Sequence, residues 1–354
     1  LSISIALPLA WLTTRTDLPG RRLWAILTPL PLVVPSYVGA YLFVSALGPR
    51  GLLQSLLEQP FGITRLPEIY GFPGALLVLT LLNYPFVLLS LRAALQRLDP
   101  ALEEAAASLG LNRWQTFWRV TLPQLRPAVT TGSLLVVLYV LRDFGAVAIM
   151  RYNTFTRVIY IQYQNSFDRS AAASLALVLI TLSLIVLAVE VRARGRARLD
   201  SPNRPNRQLA RVALGPWRWP ALLFCLAIVL VSLIMPAGFL GYWLLRGLQA
   251  GEALGNLWAA AGNSLLASGL AALAATLAAI PIAIVEVRRN NVISRLLERI
   301  SYMAFALPGI VIALALVFFG ANYAPALYQT LTMLVFAYLI LFLPQIVGTV
   351  RTSL

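Results

Sequence analysis

The sequence contains no histidine and no lysine, and it has one cysteine among 354 residues. Without histidine, the chain lacks the commonest general base and the commonest metal ligand, which excludes a Ser/His/Asp triad. The single cysteine, Cys225, excludes an internal disulfide and a cysteine-based zinc site. No Walker-type phosphate loop is present. We therefore expect no enzyme activity, no bound cofactor and no metal site in this chain.

Charge is also scarce: 12% of the residues are charged and 59% are hydrophobic, whereas about a quarter of a soluble domain is charged. Several apolar runs exceed the ~18–20 residues that span a bilayer as a helix. The sequence thus predicts an all-α, polytopic transmembrane protein embedded in the lipid bilayer. The predicted spans, nine in all, are 1–14, 24–47, 73–96, 128–149, 171–192, 219–245, 263–286, 301–320 and 326–350.

The charge that is present is mostly positive, with a net charge of +15 and 28 basic residues that are all arginine. In a soluble protein this excess would suggest nucleic acid, but cytoplasmic loops of membrane proteins are also enriched in basic residues. We expect no nucleic-acid partner. The arginines concentrate in alternate loops, within 15–22, 97–126, 192–218 and 288–299, and these loops are expected on the cytoplasmic side.

The chain carries an internal repeat. Pro8 matches Pro281 and Pro35 matches Pro308 at one offset, since 281 − 8 and 308 − 35 both equal 273. Further on, Pro85 matches Pro344 at an offset of 344 − 85 = 259. The repeat predicts two domains of the same orientation, residues 1–192 and 219–354, joined by an Arg/Pro-rich cytoplasmic linker at 193–218. The pattern also suggests a fragment, truncated at both ends.

A polar segment, residues 99–127, interrupts the apolar sequence. Asp99 can cap a helix that starts at Pro100, because proline suits the first helical position. Glu103 and Glu104 would lie in the first turns, where the helix dipole favours acids. The following alanines, 105–107, are strong helix formers with little bulk.

The second part of this segment begins with Gly110, which permits a sharp turn at a helix end. Trp114, Phe117 and Trp118 then form an apolar stripe at helical spacing, and Leu122-Pro123 is expected to end the element before the next span. We predict a short helix, a bend and a second short amphipathic helix. An ordinary interfacial loop with aromatic residues at the headgroups is the alternative for the two tryptophans.

The frame Glu104-Ala105-Ala106, Gly110 and Leu122-Pro123 resembles the EAA loop of binding-protein-dependent ABC importer permeases, with Val120 where isoleucine is more usual. In that family the loop inserts into a groove on a separate ATPase. The resemblance implies that the residues docking the ATPase are Glu103, Glu104, Ala105, Ala106, Gly110, Leu122 and Pro123.

The resemblance also has implications for the whole chain. It implies two MetI-like permease domains in a bacterial inner (plasma) membrane, the first carrying the EAA loop 99–127 and the second ending before its own loop. It implies an ATP-binding-cassette ATPase dimer that uses the ATP, and a periplasmic substrate-binding protein. Residues 143–177 are similar to ferric-iron permeases, although permeases for thiamine, sulfate, polyamines or phosphonates share the architecture.

A charged pair, Arg142-Asp143, interrupts an apolar run. Ionisable groups in spans often mark a pathway. Asp143 lies 143 − 128 = 15 residues after Ala128, or ~22 Å along a helix, toward the external interface. We predict that Asp143 and Gly145 line or gate the external mouth of the translocation pathway; the alternative is that Asp143 caps a broken helix. Arg142 departs from the small residue expected there in the family.

Two other classes of membrane protein share an apolar, helical composition. A secondary transporter driven by an ion gradient would have acids near the membrane midplane and no docking loop for a motor protein. A membrane-embedded enzyme is disfavoured by the lack of histidine and of paired buried carboxylates. The sequence favours an importer subunit that couples mechanically to its ATPase.

Overall fold

The computed structural model describes residues 1–165, 170–199, 212–251, 255–288 and 307–353. These residues form helices and contain no β-strand beyond one isolated bridge between Thr16 and Val212. The helices are α1 (Ser2–Arg15), α2 (Arg21–Leu27), α3 (Ser36–Leu47), α4 (Leu52–Phe61), α5 (Phe72–Arg97), α6 (Pro100–Ser108), α7 (Arg113–Thr116), α8 (Leu122–Arg142), α9 (Gly145–Ile149), α10 (Phe155–Asn165), α11 (Ser170–Leu199), α12 (Arg218–Val229), α13 (Met235–Gln249), α14 (Gly255–Arg288), α15 (Gly309–Tyr323) and α16 (Leu331–Ser353).

The predicted count of nine spans is too high. Among the described residues, six helices are long and apolar enough to cross a membrane, or seven if one bent pair counts as a span. The first predicted span corresponds to α1, which has only 14 residues. The predicted span 301–320 corresponds to α15, which has 15 residues, while residues 301–306 lie outside the described part of the chain. Of the nine predicted spans, 1–14 and 301–320 therefore lack a helix of full span length among the described residues.

The predicted helix 24–47 is broken. α2 ends at Leu27, a 3₁₀ turn covers Leu30–Val33, and α3 begins at Ser36, with a bend of 99° across the break. Pro29, Pro31 and Pro35 lie in this break. Proline has no backbone N–H and clashes with the preceding turn of a helix, so three prolines within seven positions end the helix despite its apolar composition.

The structure divides into two compact units, Leu1–Thr154 with Val186–Leu244, and Phe155–Ile185 with Leu245–Leu354. The sequence-based division into domains 1–192 and 219–354 stays a prediction. Residues 200–211 of the predicted linker 193–218 lie outside the described residues.

The first unit is built around α5. In its apolar window 72% of the residues are buried, against at most 28% in the other long helices. α1 and α8 pack against α5, and the apolar cluster between them includes Leu9, Tyr84, Leu91 and Leu125. Lipid tails are as apolar as leucine, so such helices associate through close packing rather than through a hydrophobic driving force. The packing holds the end of α1 at Arg15 beside the segment that follows α5.

In the second unit, α14 packs along α16. The buried positions of α14 are alanines spaced four residues apart, namely Ala267, Ala271, Ala275, Ala279 and Ala283. Small residues at this spacing form one helix face and let a neighbouring helix approach closely. The pair repeats a feature of α1 and α5: prolines matched by the sequence repeat lie inside all four helices, at Pro8, Pro85, Pro281 and Pro344.

Candidate functional site: the docking segment

The docking segment, residues 99–127, begins as the sequence predicts. α6 starts at Pro100, and the Asp99 carboxylate accepts a hydrogen bond from the Ala101 N–H at 3.0 Å. This cap satisfies one of the backbone donors that a helix leaves open at its start. The start of α6 is therefore fixed by two adjacent residues that the sequence identifies.

The turn after α6 is fixed by a glycine. Gly110 has φ of +81°, and the N–H groups of Gly110 and Leu111 donate to the carbonyls of Ala107 and Ala106 at 3.0 and 3.1 Å. This is the Schellman pattern of a helix C-terminus, in which glycine avoids the strain of the left-handed conformation. The predicted bend at Gly110 is confirmed.

The second short helix, α7, starts with a reciprocal cap. The Asn112 side chain accepts a hydrogen bond from the Gln115 N–H at 2.8 Å, and the Gln115 side chain accepts one from the Asn112 N–H at 3.1 Å. Such a capping box satisfies two open donors. With caps at Asp99, Gly110 and Asn112, the helix–turn–helix has a defined shape.

The prediction that Leu122-Pro123 ends this element is wrong. α7 continues through a π-helical turn, Phe117–Thr121, into α8, so that Arg113–Arg142 is one helical span. Pro123 lacks the N–H that an α-helix would direct at the carbonyl of Arg119. The wider π turn precedes this proline, and π-helix, although rare, occurs mostly as such single turns inside α-helices.

The side chains that the sequence assigns to docking fall into two groups. Glu104, Ala105 and Gly110 are exposed, whereas Ala106 is buried and Glu103, Leu122 and Pro123 are partly buried. Large apolar side chains are exposed on the same segment, namely Leu102, Leu109, Trp114 and Trp118. The arginines Arg97, Arg113, Arg119 and Arg126 are exposed as well. The segment thus presents an apolar surface with basic surroundings, which is suited to protein contact.

Glu103 contacts two residues that the sequence analysis did not connect with docking. Its carboxylate forms an ion pair with Arg15 at the end of α1 and accepts a hydrogen bond from the Thr121 hydroxyl at 2.9 Å. In the sequence, Arg15 is only one of the loop arginines whose distribution predicts orientation. A charged residue at the end of an apolar helix gives no local signal of a partner 88 residues away.

Asp143 lies in the break between α8 and α9, and Gly145 is the first residue of α9. The Asp143 carboxylate accepts hydrogen bonds from the N–H of Ala146 at 2.9 Å, from the N–H of Val147 and from the Ser36 hydroxyl. A Cβ added at Gly145 would lie 2.8 Å from the Cβ of Tyr37. Asp143 therefore caps α9 and joins it to α3, as the helix-capping alternative expects. Its role in the translocation pathway stays a prediction.

Comparison with known proteins identifies a family that this chain matches. Residues 3–196 match the family model described as binding-protein-dependent transport system inner membrane component. The chain is 33% identical over its full length to the Fe(3+)-transport system permease protein FbpB 2 of Haemophilus influenzae, of which it covers 67%.

Two further relatives align with less of the chain. The molybdenum transport system permease protein ModB of Escherichia coli is 35% identical over 41% of this chain and 62% of the relative. The sulfate transport system permease protein CysW of Synechococcus elongatus is 31% identical over 49% of this chain and 63% of the relative. The chain therefore belongs to the family of inner membrane components of binding-protein-dependent transport systems, which are transmembrane permease subunits rather than catalytic enzymes.

Proposed function

We propose that this chain is part of the transmembrane subunit of an ATP-driven importer in a bacterial inner membrane. A separate ATP-binding-cassette ATPase dimer docks on residues 99–127 from the cytoplasm, and a periplasmic substrate-binding protein delivers the substrate outside. The observation that carries the proposal is the docking segment itself: two capped short helices that expose Glu104, Ala105, Leu109 and Trp114. No residue of this chain performs covalent chemistry, because ATP hydrolysis takes place on the partner.

The shape of the segment supports this role. The small side chain of Ala105 lets a groove close around α6, and Leu109 is 83% exposed at the tip of the turn. Exposed large apolar groups clustered on one element mark interaction sites. Because three caps hold the turn in one conformation, movement of a bound ATPase is transmitted to α8 rather than absorbed locally.

For the substrate we propose ferric iron. A relative that aligns with the whole chain is named for Fe(3+) transport, and it is matched over 67% of its own length. The relatives named for molybdenum and sulfate transport match 41% and 49% of the chain. Thiamine, sulfate, polyamines and phosphonates stay as alternative substrates, and an ion-gradient-driven secondary transporter as the alternative class.

The docking proposal is tested by copurification of the intact permease with its ATPase. Ala105→Arg places a long charged side chain on the exposed face of α6 and is expected to abolish association. Ala250→Arg, at an exposed position outside the docking segment, is the matched control and should leave association unchanged. An intact permease that transports without any ATPase and without ATP would contradict the proposal and favour the secondary transporter.

The substrate proposal needs a separate assay. In proteoliposomes that contain the permease, the ATPase and a candidate binding protein, ATP hydrolysis and uptake are measured with ferric iron, molybdate or sulfate as the cargo. Stimulation by ferric iron alone is the expected result. Stimulation by an oxyanion alone would reject iron while leaving the importer proposal intact.

A further inference from the structure

The carboxylate of Glu103 joins three elements. Arg15 at the end of α1 donates to one carboxylate oxygen through Nη2, and the Thr121 hydroxyl donates to the other at 2.9 Å. The Arg15 side chain is 4% exposed, the Glu103 side chain is 22% exposed and Thr121 is 1% exposed. One acidic side chain thereby connects α1, the docking helix α6 and the π turn before α8.

Apolar contacts surround this ion pair. The Arg15 guanidinium lies over the Trp11 ring, 5.4 Å from its centroid. The Trp11 ring in turn meets the Phe117 ring edge-on, with centroids 4.8 Å apart. A guanidinium over an indole face is attracted by the ring's quadrupole. The end of α1 therefore holds the docking segment through a charge pair and an aromatic pair that lie side by side.

The burial of Arg15 makes this contact more than a surface ion pair. Exposed pairs contribute little, because water and salt screen them. A buried pair that loses one member leaves an uncompensated charge, which is strongly destabilising. In the described part of the chain, Nε and Nη1 of Arg15 have no hydrogen-bond partner, and the ion pair of Nη2 with Glu103 is what compensates this cation.

The adjacent residue has the opposite environment. Glu104 is exposed on α6 and, in the proposed docking, faces the partner ATPase. Glu103 thus makes a contact inside the protein, whereas its neighbour Glu104 is available for a contact with the partner. The sequence repeat pairs Arg15 with Arg288, since 15 + 273 = 288, and α14 ends at Arg288 as α1 ends at Arg15. An arginine at this helix end is a feature that both halves carry.

We propose that Arg15 is a positioning residue for coupling: through Glu103 and Thr121 it fastens α6 to α1, so that the docking segment and α1 move together when the ATPase changes state. The coupling part rests on the proposed function. Sliding of α6 against α1 would separate a buried cation from its anion, whereas joint movement keeps the pair intact. Arg15 and Thr121 are expected to contact neither ATPase nor substrate.

The first test needs no ATPase. Hydrogen exchange of the α6 amides is measured by mass spectrometry in the intact permease in lipid nanodiscs. Arg15→Gln and Glu103→Gln are each expected to raise the exchange rate of the α6 amides about tenfold or more. Thr121→Val removes only the hydroxyl group and is expected to raise that rate less. The charge-swapped pair Arg15→Glu with Glu103→Arg should restore much of the protection. Glu68→Gln breaks an exposed ion pair with Arg65 and serves as the control that leaves α6 unchanged.

The second test measures transport per ATP hydrolysed in proteoliposomes with the partner ATPase. Arg15→Gln is expected to keep ATPase binding and hydrolysis but to lower transport per ATP about fivefold or more, with rescue by the charge-swapped pair. A merely structural contact would lower transport and hydrolysis together. Unchanged α6 exchange in the folded charge variants would overturn the proposal, as would lost α6 protection with an unchanged transport-to-ATP ratio.

The two proposals can fail separately. If the wild-type permease binds no ATPase, the importer proposal fails, and hydrogen exchange then decides by itself whether Arg15 fastens α6 to α1. If the ATPase binds normally but the charge variants leave hydrogen exchange in α6 unchanged, the docking proposal is retained and the role of Arg15 is rejected.

Discussion

At the scale of single residues, the shape of the docking segment depends on a position where the backbone conformation restricts which residue can be present. Gly110 has φ of +81°, and a Cβ added there would meet no atom within 4 Å. The cost of any other residue is therefore conformational rather than steric. For an L-residue the left-handed region costs about 1–2 kcal/mol, while asparagine tolerates it better than most.

Gly110→Ala is accordingly expected to weaken ATPase association by about tenfold, which corresponds to ~1.4 kcal/mol. Gly110→Asn should weaken ATPase association less than Gly110→Ala does. Gly62→Ala is the matched control, because Gly62 also ends a helix with positive φ and open surroundings but lies outside the docking segment. Equal losses for Gly110→Ala and Gly62→Ala in a copurification titration would show that the turn has no special part in docking.

A second residue-scale prediction concerns Asp143, whose carboxylate caps α9. Asp143→Asn keeps an oxygen acceptor for the Ala146 N–H but removes the charge, whereas Asp143→Ala removes both, at a typical cost of ~1 kcal/mol for a lost cap. If capping is the role, uptake in proteoliposomes should fall for Asp143→Ala and be largely kept for Asp143→Asn. Equal loss in both variants would instead favour the predicted role of the charge in the translocation pathway.

At the scale of helices, packing depends on where the backbones of two helices can approach each other closely. α5 and α8 meet at Gly132, where an added Cβ would lie 2.8 Å from the Cα of Val87. Backbone atoms cannot turn aside as a flexible side chain can, so one helix must shift. The apolar composition of α8 does not reveal this contact, because the residue opposite Gly132 is known only once the two helices are packed.

Gly132→Ala should therefore destabilise the permease by about 1–3 kcal/mol, as overpacking does. Gly269→Ala in α14 serves as the control: no atom lies within 4 Å of the added Cβ, and alanine is favoured over glycine in a helix by about 1 kcal/mol. Thermal unfolding in detergent should show a lower midpoint for Gly132→Ala only. A lowered midpoint for both variants would contradict the packing argument.

At the scale of the whole molecule, orientation follows from the distribution of charge. Arginines concentrate in alternate loops, including residues 97–126, and basic loops stay on the cytoplasmic side. Phe61, the last residue of α4, lies between the predicted spans 24–47 and 73–96 and is therefore expected on the opposite, external side. Leu109 is 83% and Phe61 is 72% exposed, so neither side chain is covered by the rest of the described chain.

Single-cysteine variants test this orientation. In a Cys225→Ser background, Leu109→Cys should react with a membrane-impermeant maleimide only from the cytoplasmic side, and Phe61→Cys only from the outside. The native Cys225 is buried, and its removal keeps the readout to one site. Labelling of both positions from the same side would refute the predicted orientation and, with it, cytoplasmic docking.

Much of the candidate site could be predicted from the sequence because its signals are local. Asp99-Pro100 and Gly110 specify the ends of α6 through their own backbone and side-chain chemistry, and the structure places both ends there. The end expected at Leu122-Pro123 was wrong, since Pro123 lies in the first turn of α8 directly after a π turn, a position where proline is tolerated. The break at 29–35 was not predicted from the apolar composition of this run, because its three prolines end the helix.

The sequence by itself determined the helical membrane class, the internal repeat and the helix–turn–helix shape of residues 99–116, since these depend on composition and on residues close together in the chain. Only the tertiary structure decided that Glu103 turns inward to Arg15, 88 residues away, while Glu104 remains exposed. It likewise placed Ser36 against Asp143. Such pairs depend on how helices pack, and two neighbouring glutamates carry no local signal to tell which of them will be covered.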